Sequence, residues 1–216
     1  MIYEIEELYF SYDARFSLKI PRLEIPREGI TGIAGPSGSG KSTLLMNLAF
    51  LQKGSWKSFK FCGKEVKPEE LKSLRRIVTY VSQHPILFST TIKENLSYPL
   101  KLRRIPKNVV EKSVYKISKL LQIEHVLNSR PWEISGGEAQ RVCIGRALIF
   151  KPKVVLLDEP TSNLDEENES IIEKILRDIS TDTKLIIVSH NKHQIRRLCD
   201  THFVMKNGTL LQNTQR

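Results

Sequence analysis

The sequence predicts an α/β fold with a mainly parallel sheet, an N-terminal antiparallel β subdomain and a helical insert. The first indication is a short apolar strand, Ile30–Ala34, that runs into a glycine-rich turn and then into a helix from Lys41. The second is a pair of mostly apolar runs, 153–158 and 185–188, which are typical of strands buried on both faces of a parallel sheet. The third is the stretch 90–131, whose helical pattern is interrupted by prolines and therefore indicates an insert outside the sheet.

The elements before the insert follow from apolar spacing and from turn residues. Partial alternation predicts strands, and proline and glycine predict the breaks between them. In chain order the sequence predicts a strand at 2–10, a turn at 11–13, a strand at 16–20, an edge-like stretch at 21–29, a strand at 55–61, a short helix at 68–76 and a strand at 77–81.

The elements after the insert are predicted in the same way. A helix begins at 133–138, and the stretch 166–180 has isoleucine and leucine on one side, as expected of an amphipathic helix. A short helix is predicted at 191–199. The dipeptide Asn207-Gly208 separates two short apolar segments, 202–206 and 209–212, which is a strong hairpin signal.

Length and composition indicate an ordinary globular chain. Its 216 residues suffice for one substantial core, with 27% charged and 40% hydrophobic residues. No apolar run approaches the roughly 18 residues of a membrane span, and the N-terminus does not begin like a signal peptide. The three cysteines form no C-x-x-C pair, so we expect free thiols in a reducing compartment rather than disulfides or zinc ligands. These features predict a cytosolic chain.

The net charge of +10 is compatible with nucleic acid, with anionic lipid headgroups or with a merely basic surface. The basic residues are spread along the chain and are densest at 53–72 and 101–107. No aromatic residues are interleaved at base-stacking spacing, which disfavours nucleic acid as a partner. A solvated basic face is the preferred interpretation.

The segment 35–42 fits G-x-x-x-x-G-K-[ST], the phosphate-binding P-loop. Its glycines let successive backbone N–H groups point inward, and the helix N-terminus adds its positive end. Lys41 is then expected to reach the β- and γ-phosphates, and the Ser42 hydroxyl to ligate Mg²⁺. The sequence therefore predicts a P-loop NTPase with a RecA-like core. The predicted nucleotide-binding residues are Gly35, Pro36, Ser37, Gly38, Ser39, Gly40, Lys41, Ser42 and Thr43.

Polar residues follow three of the predicted strands, at the sheet edge where α/β proteins bind ligands. Gln83 follows the strand 77–81 and can orient Mg²⁺ or a water molecule. Asp158 suits Mg²⁺ coordination, and Glu159 suits polarising an attacking water. His190 also ends a strand, although a lone histidine is more often structural. For the acidic pair the alternative is a solvated strand end.

Two further positions are candidate ligand contacts. Ser135-Gly136-Gly137 begins a helix and is a second potential phosphate cradle. Tyr12 lies beside the predicted turn, where an exposed aromatic ring could stack on adenine. The local sequence around Tyr12 favours an ordinary β-surface tyrosine.

Taken together, the motifs resemble those of ATP-binding cassette (ABC) ATPases over nearly the whole chain. The Walker A motif is 35–43, Walker B is 154–159, and the signature is 134–138 (Ile-Ser-Gly-Gly-Glu). Ile134 and Glu138 depart from the family's usual leucine and glutamine, but Ser135 and Gly137 are retained. The resemblance also implies a Q-loop at Gln83, a D-loop at 162–165 with Asp165, an H-loop at His190 and an adenine-stacking residue at Tyr12.

The resemblance implies the ABC ATPase fold as a single domain over 1–216. The nucleotide-binding core with its β subdomain would comprise 1–88 and 152–216. The helical subdomain would comprise 89–151 and end in the signature and its helix. Glu159 is retained where degenerate cassettes have lost it, so the resemblance implies an ATPase with Glu159, His190 and Gln83 as catalytic residues and Ser42, Gln83 and Asp158 as Mg²⁺ ligands.

Similarity to the family also implies partners. Two cassettes sandwich two ATP molecules head to tail, each using its own Walker A motif and the other's signature residues Ser135, Gly136, Gly137 and Glu138. We therefore expect a homodimer or a pair with another cassette. An integral membrane permease would supply the transport pathway and insert helices into a groove near 82–99. The chain would then lie in the cytoplasm, peripheral to the inner face of the cell membrane.

The closest resemblance within the family is to small stand-alone cassettes of the Fet type, which are linked to iron export. The D-loop also suits cassettes that serve lipoprotein release or macrolide export. The alternative function is a soluble ABC ATPase that acts on nucleic acid or ribosomes, but such relatives carry a coiled-coil insert or two fused cassettes. A P-loop kinase would not need the signature.

Overall fold

The structure is a computed structural model that describes residues 1–13 and 16–215, and its strands form two sheets. The antiparallel sheet has the order β2-β1-β4-β5, and the core sheet has the order β10-β9-β3-β8-β7-β6. Every neighbouring pair in the core sheet is parallel except β9 and β10. The strands are β1 Tyr3–Asp13, β2 Phe16–Ile25, β3 Ile30–Ala34, β4 Ser58–Phe61, β5 Lys64–Glu65, β6 Val78–Val81, β7 Val154–Asp158, β8 Lys184–Ser189, β9 Thr201–Lys206 and β10 Thr209–Gln215.

Three of the helices are inserted between β6 and β7. The helices are α1 Lys41–Leu48, α2 Leu71–Leu74, α3 Ile92–Leu102, α4 Lys107–Leu120, α5 Gly136–Leu148, α6 Glu166–Ile179 and α7 Lys192–Leu198. Short 3-10 turns lie at 68–70, 124–126 and 131–133. Among the described residues, no helix is both long enough and apolar enough to cross a membrane.

The core sheet is buried on both faces, as the apolar runs predict. Side chains alternate along a strand, so Val155 and Leu157 of β7 pack into the cluster with the helices. Val154 and Leu156 point the other way, into the cluster beneath the antiparallel sheet. The fold is therefore α/β with an N-terminal antiparallel sheet and a helical insert, and this prediction is confirmed. The exact subdomain limits of 1–88, 89–151 and 152–216 stay a prediction.

Some local predictions are wrong. Strand β1 continues to Asp13, so 11–13 is strand rather than turn. Strand β2 continues through Pro21 to Ile25, because it lies at the sheet edge, where a missing N–H donor is tolerated. Helix α3 continues through Pro99, which is buried with its neighbour Leu100 in the helical core, so tertiary packing offsets the lost hydrogen bond.

Candidate nucleotide site

The P-loop (35–43) forms the turn between β3 and α1 at the C-terminal end of the core sheet. Gly40 caps α1 with a φ of 100°, a left-handed conformation that favours glycine. A Cβ atom on Gly35 would lie 2.4 Å from the carbonyl oxygen of Met205 in β9. The turn is therefore packed against the neighbouring strand, with its backbone curled as a phosphate cradle requires.

Lys41 begins α1 and its ammonium group lies inside the P-loop. Nζ donates to the carbonyl oxygens of Gly35 at 2.9 Å and of Pro36 at 3.1 Å. It also lies 3.5 Å from Oε1 of Glu159, and both side chains are buried. The lysine predicted to bind phosphate and the carboxylate predicted to act as base thus lie side by side.

Glu159 joins the P-loop to the predicted H-loop. It follows β7 with a positive φ of 48°, and its backbone N–H donates to the carbonyl oxygen of Val188 in β8. Its Oε1 accepts the backbone N–H of His190 at 3.1 Å, and its Oε2 lies 2.5 Å from the ring nitrogen Nδ1 of His190. The His190 side chain stays 59% exposed. The structure therefore brings Lys41, Glu159 and His190 together, with the histidine facing solvent.

Asp158 is held by a residue that the sequence analysis missed. The Tyr80 hydroxyl donates to Oδ2 of Asp158 at 2.8 Å from the adjacent strand β6. Burial, and then this hydrogen bond, raise the pKa of Tyr80. Oδ1 of Asp158 is buried without a hydrogen-bond partner among the described residues. Tyr80 sits in an apolar strand pattern with no motif signal, so sequence alone could not mark it.

Gln83 follows β6 and is partly exposed. Among the residues that the structure describes, it makes no hydrogen bond to Lys41, Asp158 or Glu159. The structure therefore places Gln83 at the expected edge of the sheet without a hydrogen bond to the cluster.

A cavity of about 260 Å³ opens beside the P-loop. The ring of Tyr12 is 58% exposed and lies 6.3 Å from the ring of Phe16, centroid to centroid. Both rings line the cavity together with Gly38 and with 40–43. Phe16 is therefore a second aromatic residue beside the P-loop, which sequence reasoning assigned only to a strand.

A larger cavity of about 1280 Å³ lies elsewhere and contains none of the predicted site residues. It is lined by the chain before β3, by β5 and by the loop before β8. Those positions are at the opposite, N-terminal end of the parallel strands. Since α/β sheets bind ligands at the carboxyl ends of their strands, the smaller cavity is the candidate nucleotide site.

The signature (134–138) begins α5. Ser135 caps the helix, because its hydroxyl oxygen accepts the Glu138 N–H at 3.2 Å while the Glu138 carboxylate accepts the Ser135 N–H at 2.8 Å. Burial opposes ionisation of Glu138, but hydrogen bonds from Ser135 and His125 lower its pKa overall. No described signature residue lines the cavity beside the P-loop. The predicted second phosphate cradle is therefore separate from the first.

The D-loop (162–165) ends at Asp165, which caps α6. Oδ1 of Asp165 accepts the backbone N–H of Asn168 at 2.8 Å, and hydrogen bonds from Asn168 lower the Asp165 pKa. The Asn168 side chain also contacts Arg141 of α5. Neither Asn168 nor Arg141 stood out in the sequence.

Comparison with known proteins decides the family. The model of the protein family described as "ABC transporter" matches residues 18–162 of this chain. The chain belongs to the ABC transporter family. A phosphate import ATP-binding protein, PstB of Saccharolobus solfataricus, is 37% identical over 98% of this chain and 87% of its own length. The resemblance that the motifs indicate is thus confirmed.

Two solved structures of ABC proteins have the same fold. The structure of cbiO1 from Clostridium perfringens, described as part of the ABC transporter complex cbiONQ, has a TM-score of 0.91 and 31% identity, covering 99% of this chain and 88% of that one. The ATP-binding cassette MJ0796, a dimer bound to ADP and Pi in a post-hydrolysis state, has a TM-score of 0.87 and 25% identity, covering 99% and 98%. This chain is an ABC ATPase that binds ATP.

Proposed function

We propose that this ABC ATPase is the energy-coupling subunit of a membrane transporter and hydrolyses ATP between two cassettes. The observation that carries the proposal is the separation of the two phosphate cradles within one chain. The cavity beside the P-loop, about 260 Å³, is below the roughly 300–1,000 Å³ of a complete ligand pocket. A second cassette that contributed its signature would complete the site.

Within one half site the roles follow from the contacts. The nine residues 35–43 would hold the phosphates, and Tyr12 would stack on adenine. Lys41 would exchange its contacts with the loop carbonyls for contacts with phosphate oxygens. Glu159 would accept the proton of the attacking water, with His190 orienting that carboxylate. Gln83 would join from the end of β6, and Ser135, Gly136, Gly137 and Glu138 would act on the partner's nucleotide.

The donor set beside the P-loop fits Mg²⁺, a hard cation that prefers oxygen ligands. Asp158 offers a buried carboxylate oxygen without a partner among the described residues, and Ser42 and Gln83 would complete the protein ligands. These residues would hold Mg²⁺, which would supply positive charge to offset the charge of the phosphate oxygens. Tyr80 would keep the Asp158 carboxylate oriented for this task.

A membrane permease is the proposed partner. A groove of about 460 Å³ lies between the core sheet and the helical insert, and includes Ser82 and Pro99 of the expected 82–99 segment. The same segment contributes Phe88 and Tyr98. Phe150 also lines the groove, with the Arg103 guanidinium 3.8 Å from the centre of its ring. Such a mixed aromatic and cationic groove suits a short helix from a partner. The chain would then act at the cytoplasmic face of the membrane.

Import is the proposed direction of transport, because the PstB relative is described as an import protein. The Fet-type resemblance and metal-ion export gain no support from the relatives reported above. Those relatives also do not favour the alternative, a soluble ATPase acting on nucleic acid or ribosomes. Two copies of this chain are the simplest pair of cassettes, since each carries one P-loop and one signature.

The test is dimerisation of the Glu159→Gln protein, which should bind ATP without consuming it. With saturating Mg²⁺ and ATP, light scattering should show a dimer, whereas ADP should leave a monomer. A persistent monomer at high concentration would overturn the homodimer. Tagged wild-type protein should also retain a polytopic membrane protein when purified from native membranes in mild detergent. Recovery of ribosomes or nucleic acid instead would support the soluble alternative.

A further inference from the structure

We propose that Asn168 is a positioning residue that ties the D-loop to the signature helix α5. The proposal rests on the function proposed above, in which one cassette presents its signature to its partner's nucleotide, and it adds the D-loop to that presented surface. With Asn168 in place, the signature and the D-loop would approach that nucleotide as one rigid unit.

The side-chain amide of Asn168 connects two charged groups. Nδ2 donates to Oδ1 and Oδ2 of Asp165, at 3.0 Å each, and Oδ1 accepts from Nη1 of Arg141 at 2.6 Å. A carboxylate only accepts and a guanidinium only donates, so these partners determine which way the amide faces. Asn168 therefore joins the cap of α6 to α5 through both ends of its amide group.

Arg141 is a buried cation that the hydrogen bond to Asn168 helps to stabilise. It is only 6% exposed, and burial lowers its pKa while Glu138, Asp165 and Glu167 act in the opposite direction. Its Nε is buried without a hydrogen-bond partner among the described residues. A buried cation is costly unless it is paired and hydrogen-bonded, so the amide oxygen of Asn168 supplies part of its compensation.

The contact extends to the signature itself. A Cβ atom on Gly137 would lie 2.2 Å from Oδ1 of Asn168, so the backbone of α5 passes directly against this side chain. An alanine at position 137 would therefore have to displace the Asn168 side chain. Asn168 thus packs against the signature and hydrogen-bonds to the D-loop at the same time.

Capping alone does not explain the side chain of Asn168. The cap uses the Asn168 backbone N–H, which any residue except proline would supply. The other end of the D-loop segment is also held, since Thr161 Oγ1 accepts from Gln194 of α7 at 2.6 Å. With that end fixed, the Asn168 amide sets the position of Asp165 relative to the signature.

The test uses two dimers of full-length chains that contain the same substitutions in different arrangements. In the first dimer, one protomer carries Glu159→Gln and the other carries Asn168→Ala. The site that keeps its Glu159 lies on the Asn168→Ala protomer, and it faces the unaltered signature and D-loop of the Glu159→Gln protomer. In the second dimer, one protomer carries both substitutions and the other is wild type. The site that keeps its Glu159 lies on the wild-type protomer, and it faces the signature and D-loop of the protomer with Asn168→Ala. Each dimer is isolated with two different tags, and single-turnover ATP hydrolysis is measured.

We expect the second dimer to hydrolyse ATP about ten-fold or more slowly than the first, since small misplacements of catalytic groups are costly. ATP affinity of the monomer should not change, because its own P-loop is intact. Asn168→Thr should restore most of the rate, since one hydroxyl can accept from Arg141 and donate to Asp165. Thermal melting of the Ala and Thr variants reports on folding.

Equal rates in the two arrangements would overturn the role of Asn168. An equal loss in both would overturn it too, because a general defect does not depend on which site faces the substitution. A reference dimer with Glu159→Gln in one protomer alone separates this inference from the function on which it rests. If that dimer failed to form or to hydrolyse ATP, the proposed function would fall, and the inference with it.

Discussion

The Tyr80 hydroxyl donates a 2.8 Å hydrogen bond to Oδ2 of Asp158 across the β6–β7 strand pair. The other carboxylate oxygen, Oδ1, is left buried without a partner among the described residues. The tyrosine therefore satisfies one oxygen of the carboxylate and leaves the other for the Mg²⁺ that we propose at this end of β7.

We expect Tyr80→Phe to lower the free energy of unfolding by about 1–3 kcal/mol, because a buried carboxylate oxygen loses its donor. The Mg²⁺ concentration for half-maximal ATPase activity should also rise. Urea unfolding and a Mg²⁺ titration measure the two effects. Tyr115→Phe, at an exposed position of α4, is the matched control. An unchanged Mg²⁺ requirement would contradict the orienting role.

We expect Lys41→Ala to abolish ATP binding, because it removes the ammonium group at the centre of the P-loop. Glu159→Gln should keep ATP binding but lower turnover about 100-fold or more, since an amide cannot accept the proton. Binding of a fluorescent ATP analogue and phosphate release separate the two steps. Retained turnover in the glutamine variant would exclude Glu159 as the base.

Gly136 and Gly137 should differ although they are adjacent in the signature. A Cβ atom on Gly137 meets Asn168, whereas one on Gly136 meets nothing within 4 Å. Gly137→Ala should lower the free energy of unfolding of the monomer by about 1–3 kcal/mol through overpacking. Gly136→Ala should leave it unchanged or slightly raised, because alanine favours helix. Equal effects in chemical denaturation would contradict the close approach of α5 and α6.

The lowered pKa of Lys184 should make the free energy of unfolding depend on pH. Its Nζ donates to the carbonyl oxygens of Glu28 and Gly29, and burial lowers its pKa to about 8, although Asp200 opposes the shift. In the unfolded chain the pKa is about 10.4, so between about pH 8 and 10.4 the unfolded state binds more protons. The free energy of unfolding contributed by this group therefore rises with pH in that window.

The measurement is the difference in the free energy of unfolding between wild type and Lys184→Met at pH 8 and pH 10. We expect the free energy of unfolding of wild type to rise relative to that of the variant as the pH rises. Subtraction removes contributions common to both proteins, such as the raised pKa of Tyr80, which acts in the opposite direction above about pH 10. A flat difference would show that Lys184 keeps an ordinary pKa.

Elements with strong local patterns were predictable. Spacing within a few residues sets each of these elements. They are the P-loop turn, the strand ends before Gln83, Glu159 and His190, and the Asn207-Gly208 hairpin. The course of β2 through Pro21 was not predictable, because only its place at the sheet edge makes a proline acceptable there.

The sequence by itself determined the α/β class, the family and the identity of the candidate phosphate-binding and acidic residues, because these depend on short motifs. Only the tertiary structure decided how the residues are paired. Tyr80 meets Asp158, and Asn168 meets Arg141, although 78 and 27 positions separate the partners along the chain. Such contacts depend on which strands and helices pack together, and no local spacing encodes that.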